Sequence, residues 1–175
     1  MKRITKLAMG AFAGAAVALA PLALTGTANA DTGTNPETTV ITLKQDAGTR
    51  THAAGSQVIH CALAARNPHH SHHADAANRG MVNAVGSVKC DHAVARISIR
   101  VGLYKHGRLY RQSPVKANAG KTSVTQNAAR RCVARQDYTG VAIADVTAPP
   151  GYRPSHAKGR SIGKTVRIAA CKRGG

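Results

Sequence analysis

The sequence predicts an all-β fold: a single antiparallel β-sandwich or barrel-like domain stapled by two disulfides. Three observations predict it. One stretch alternates apolar and polar residues with the period of a strand; short β-rich runs recur between Gly, Pro and polar loops; and no segment sustains a helical apolar stripe. Four cysteines supply the staples.

The N-terminus places Lys2, Arg3 and Lys6 before an apolar stretch running from Leu7 to Leu24, then ends a small-residue segment at Ala28-Asn29-Ala30. This order of basic, apolar and small-x-small segments reads as a secretory signal over residues 1–30, with the mature chain starting at Asp31. Gly10, Gly14 and Pro21 interrupt the apolar run, which argues against its retention as an anchor. No later apolar run is long enough to span a membrane, so the expected location is extracellular. Loss of the three basic residues lowers the net charge from +18 to +15.

Residues 31–55 read as a flexible leader or arm, rich in Thr, Gly and Ala, with one candidate strand at residues 38–43. Within that strand Val40, Ile41 and Leu43 offer apolar contacts. The run is either an ordinary edge strand or an arm donated into a partner. The disulfide-stapled domain is expected over residues 56–175.

Residues 56–63 form the first β-type run of that domain and contain Cys61; a His-rich polar loop follows to Gly80. Val82, Val85 and Val88 mark the next run up to Cys90, with Gly86 hinting at a bulge. The clearest alternation comes next: Ile97, Ile99, Val101 and Leu103 interleave with Arg96, Ser98, Arg100 and Gly102. His106-Gly107 then makes a tight hairpin that sets Leu103 opposite Tyr110 and Tyr104 opposite Leu109. Residues 118–131 are polar and ambiguous, with an edge strand at residues 121–125. Val141, Ile143 and Val146 belong to a strand over residues 138–146, and residues 165–171 close the domain. Between these, Pro149-Pro150-Gly151-Tyr152-Arg153-Pro154 is a stiff loop, because each proline removes a ladder donor.

Without its signal the chain has four tyrosines and neither Phe nor Trp, so its core rests on aliphatic residues of small area. The even set Cys61, Cys90, Cys132 and Cys171 then reads as two disulfides. Three pairings are open; the shortest loops favour Cys61 with Cys90 and Cys132 with Cys171. A zinc site is a poor alternative, since no CxxC pair is present.

Catalytic chemistry finds little support. The seven acids Asp31, Glu37, Asp46, Asp75, Asp91, Asp137 and Asp145 are scattered, and no nucleophile elbow, HExxH helix or phosphate loop occurs. No catalytic residue is therefore assigned. His69, His70, His72 and His73 with Asp75 form the one metal-like cluster, able to capture Zn, Cu or Ni adventitiously; the plainer reading is a solvated loop, and no cofactor is expected. The dispersed basic charge favours anionic partners, either a secreted protein or an envelope polymer. The tyrosines form no stacking motif for specific nucleic-acid reading.

Five segments carry a family resemblance: Pro68-His69-His70-Ser71-His72-His73, Val88-Lys89-Cys90, Val101-Gly102-Leu103-Tyr104-Lys105-His106-Gly107, Asn127-Ala128-Ala129-Arg130-Arg131-Cys132 and Pro149-Pro150-Gly151-Tyr152. Across residues 56–171 the chain resembles small secreted four-cysteine β-domain proteins of Streptomyces-type actinobacteria. Some similar proteins are adaptors of umbrella toxin particles, joining a lectin subunit to a toxin stalk through an N-terminal extension. The resemblance implies such a role for residues 31–55. The expected function is a secreted, non-enzymatic protein-binding or envelope-associated module; the rivals are a small cationic nuclease-like hydrolase and a protease-inhibitor-like domain.

Overall fold

The computed structural model describes residues 38–46, 57–71 and 80–171. Among these every regular element is a strand, and no helix is long and apolar enough to cross a membrane. The proposed signal, and the stretches at residues 47–56, 72–79 and 172–175, lie outside the described residues.

Ten strands follow in chain order: β1 (Thr38–Gln45), β2 (Val58–Ala65), β3 (His69–Ser71), β4 (Met81–Lys105), β5 (Arg108–Gln112), β6 (Lys116–Arg131), β7 (Gln136–Thr147), β8 (Tyr152–Arg153), β9 (His156–Ile162) and β10 (Val166–Ile168). All pairings are antiparallel within one sheet of order β10-β7-β4-β2-β1-β8, with β3, β5 and β6 joined to β4 and β9 joined to β7.

β4 organises the rest. Its first half, Met81 to Lys89, pairs β6 on one side and β3 then β2 on the other, while its second half, Arg96 to Lys105, pairs β7 on one side and β6 then β5 on the other. Between Lys89 and Val94 the register with β6 slips, so the strand turns there. The turn exchanges the inward parity: Val82, Ala84, Val88 and Cys90 are buried before it, and Ile97, Ile99, Val101 and Leu103 after it. The two halves then face each other, and the sheet curls until it is nearly closed into a barrel.

Gly86 sits where those halves meet. It pairs in regular register with Gln126 and Ala65, so no bulge lies at this glycine; the irregularity falls at residues 89–94 instead. What Gly86 provides is clearance, since a Cβ there would stand 2.8 Å from Ala142 Cβ.

Cys61 and Cys90 are direct register partners on β2 and β4, with Cα atoms 3.9 Å apart, and they form a disulfide. Cys132 and Cys171 form the second, tying the end of β6 to the segment after β10. Short-loop pairing is therefore the pairing found, and no free cysteine is present.

The candidate strand at residues 38–43 is formed, as part of β1, and the rest of the expected leader, apart from Lys44 to Asp46, lies outside the described residues. β1 pairs β2 from Thr38 to Lys44, with Ile41 and Leu43 buried in the core. These apolar side chains complete this chain's own interior, as the ordinary-strand alternative expects. Val40, Ile41 and Leu43 all lie on this strand, paired with Ala62, Cys61 and Ile59 of β2.

The hairpin is confirmed at its turn and corrected at its bulge. His106 (φ 46°) and Gly107 (φ 73°) both take positive φ, as a two-residue hairpin turn requires. Tyr104 pairs Leu109 as expected, but Leu103 pairs Arg111, leaving Tyr110 as the extra residue. The expected Leu103–Tyr110 pair is therefore not formed.

Candidate functional site

Two seams remain where neighbouring strands approach without a continuous ladder. At the first, β9 faces β1 and β2. Thr39 Oγ1 donates to Arg160 O at 2.8 Å, and Ala65 N donates to Ser161 Oγ at 3.0 Å. A Cβ at Gly159 would touch Ile41 and Leu63 at 3.0 and 3.1 Å, so this seam is packed shut.

The second seam separates β5 from the C-terminal half of β6. Only side chains cross it. Tyr110 Oη donates to Arg131 O at 2.8 Å, Arg130 donates back to Tyr110 O, and Gln126 Nε2 donates to Pro114 O at 3.1 Å. A phenol spanning such a gap holds the two backbones farther apart than the roughly 4.8 Å of paired strands.

The hairpin bulge sends Tyr110 into this seam, where cations collect around it. Lys105 Nζ sits 4.9 Å from the ring centroid and Arg130 Cζ 4.4 Å from it. Such placements gain cation–π attraction while leaving the cationic heads near solvent. Exposed Arg108, Arg111 and Arg131 extend the positive field. An open cleft of about 490 Å³ lies beside the cluster, lined by Lys105, His106, Arg108, Leu109, Tyr110 and Gln136.

On the far wall, His106 Nε2 donates to Gln136 Oε1, and its Nδ1 stands 3.9 Å from Asp137 Oδ2. Asp137 also meets Arg167 at 3.6 Å. Both ring nitrogens of His106 therefore face neighbouring side chains. Tyr138 packs 6.2 Å from Tyr110, its Oη bonded to both the N–H and the carbonyl of Val133 at 2.9 and 3.0 Å. Burial raises the Tyr138 phenol above its ordinary value of 10.0; the Val133 hydrogen bond opposes this in part, and Tyr110 adds to it.

Asp91 lies at the turn of β4, away from this cluster. Burial pushes its carboxyl up, but hydrogen bonds from His92 and the His60 N–H, with the charges of both imidazoles, hold it below the ordinary 3.8.

The histidine cluster expected from sequence is only partly described. His72, His73 and Asp75 lie outside the described residues; His69 and His70 fall on β3, paired with Asn83 and Val82. Successive strand residues point to opposite faces, so these two rings diverge. His69 Nδ1 lies 3.2 Å from Asn67 O, and no group of three metal-ligating side chains converges among the described residues.

Sequence reasoning placed Arg108, Arg111, Arg130 and Arg131 among dispersed surface charges. The seam that gathers them arises from the coiling of β4, which brings residues twenty apart together; Arg130 preceding Cys132 gives no local sign of it. No protein-family model, curated protein or solved structure matches the chain.

Proposed function

We propose that the chain is an extracellular, non-enzymatic binding module whose β5–β6 seam docks an acidic partner protein. The observation that carries this reading is the convergence of Lys105, Arg108 and Arg130 around Tyr110, with Arg111 and Arg131 beside them. Aromatic and arginine side chains are the groups that dominate protein-binding hot spots. Three described carboxylates are already engaged, Asp46 by Arg153, Asp91 by His92 and Asp137 by Arg167, so they neutralise little of the seam's charge.

Export is part of the proposal. It rests on the signal-like N-terminus and on two disulfides, bonds that persist in oxidising compartments. An adaptor role in an extracellular assembly, as the family resemblance implies, suits a disulfide-bonded module with a basic seam.

Charge reversal tests the reading. Lys105→Glu with Arg108→Glu should abolish retention on an acidic protein matrix at moderate salt, while Lys158→Glu with Arg160→Glu on β9 should retain most of it. Equal losses in the two variants would mean diffuse adhesion and refute a seam-directed partner. Digestion of RNA or DNA by the purified protein, lost in His106→Ala, would instead establish the hydrolase.

A further inference from the structure

We infer that the β5–β6 seam is a strand-shaped slot that accepts an extended acidic segment of another protein, hydrogen-bonded to the β6 edge. The inference rests on the docking reading above and specifies its mode.

The main chain of β6 carries the argument. In an antiparallel strand, residues alternate between pointing both backbone groups at one neighbour and at the other. Cys132, just past the strand, donates its N–H to Gly80 O next to β4, so even-numbered positions face β4. Two hydrogen bonds place odd positions the other way: Asn127 N donates to Gln126 Oε1, whose amide reaches Pro114 O, and Arg131 O accepts from Tyr110 Oη. By the same alternation Thr125 and Ala129 present their backbone groups to the seam. Among the described residues β4 is the sole strand paired with β6, so a row of donors and acceptors looks across the gap.

Across the gap, β5 and its successor offer Tyr110 O and Pro114 O, each accepting from a β6 side chain. Arg130, Gln126 and Tyr110 thus occupy the positions where the backbone of an intervening strand would bond. They are stand-ins that an incoming strand displaces.

Charge selects the occupant. β6 has Lys116, Lys121, Arg130 and Arg131 and no acid along its sixteen residues. A second copy laid along the same edge would bring only further basic residues and no acid to it. Basic side chains on an edge are also the usual guard against self-pairing. A segment with alternating Glu satisfies both the backbone row and the cations.

The test uses two short synthetic peptides of identical sequence, with Glu at alternate positions, one of them N-methylated at every second amide. Titration into the intact protein, followed by calorimetry, should show the unmodified peptide binding and the methylated one at least roughly tenfold weaker. Gln126→Ala, which removes a competing cap, should tighten the unmodified peptide several-fold. Equal binding of both peptides would overturn the strand mode and leave acidic docking standing. No binding by either, while the acidic matrix still retains the protein through Lys105 and Arg108, would likewise sink the slot alone; loss of matrix retention as well would sink both readings. A concentration-dependent dimer without peptide, abolished by Thr125→Pro, would overturn the choice of occupant.

Discussion

Gly86 and Val101 belong to the same strand and meet across the interior, a Cβ at Gly86 falling 2.9 Å from Val101 Cγ2. That approach is possible because β4 turns between Lys89 and Val94 and faces its own second half. The contact makes a sharp prediction. Gly86→Ala must push against Val101 and Ala142, and overpacking of this kind costs about 1–3 kcal/mol. Urea denaturation should register the loss as a lower midpoint. A midpoint equal to the parent's would mean that the two halves of β4 are not packed this closely.

The disulfides stabilise unequally. Their sequence separations of 29 and 39 give similar loop entropies, on the order of 3–4 kcal/mol each in the chain-entropy model. Cys61 is fully buried, whereas Cys171 is partly exposed. Replacing Cys61 and Cys90 together by Ala should therefore cost more than replacing Cys132 and Cys171, since loss of buried sulfur also leaves a void. Thermal melts of the two double variants check the order; the reverse order contradicts it.

Alkaline stability follows from Tyr138. Its folded-state pKa is raised, burial being the main cause, so its contribution is complete below the unfolded value near 10 and is lost as pH climbs through the folded value. Ultraviolet difference titration of the parent against Tyr138→Phe should show the Tyr138 phenol ionising above its ordinary range. Tyr138→Phe should flatten this alkaline loss, while costing about 1 kcal/mol at neutral pH through the Val133 N–H and carbonyl left without the phenol. Ionisation of Tyr138 at or below its ordinary value in folded protein would refute the assignment.

Local chemistry was legible in the sequence, and long-range coiling was not. The alternation from Arg96 to Leu103 and the turn at His106-Gly107 depend on residues close in the chain, the cysteine pairing follows the order of the cysteines along it, and each is present. β9 leaves no apolar signal in the sequence because its inward positions are the small residues Ala157, Gly159 and Ser161. β6 was recognised only around Val124, since Val124 and Ala128 are its sole fully buried side chains and the rest read as loop. β4 was divided at Asp91-His92, polar residues that mark its turn. The seam depends on that turn together with the bulge at Tyr110, and neither has a local signature that fixes its direction.

Amide chemical-shift mapping by nuclear magnetic resonance tests the seam most directly, with an acidic extended peptide titrated into uniformly labelled protein. The account predicts that the largest perturbations fall on Lys105, Arg108, Tyr110, Thr125, Asn127 and Ala129, with Arg96, Arg100 and Arg160 on the outer sheet face nearly unmoved. Perturbations centred on those outer arginines, or spread evenly over every basic residue, would contradict it.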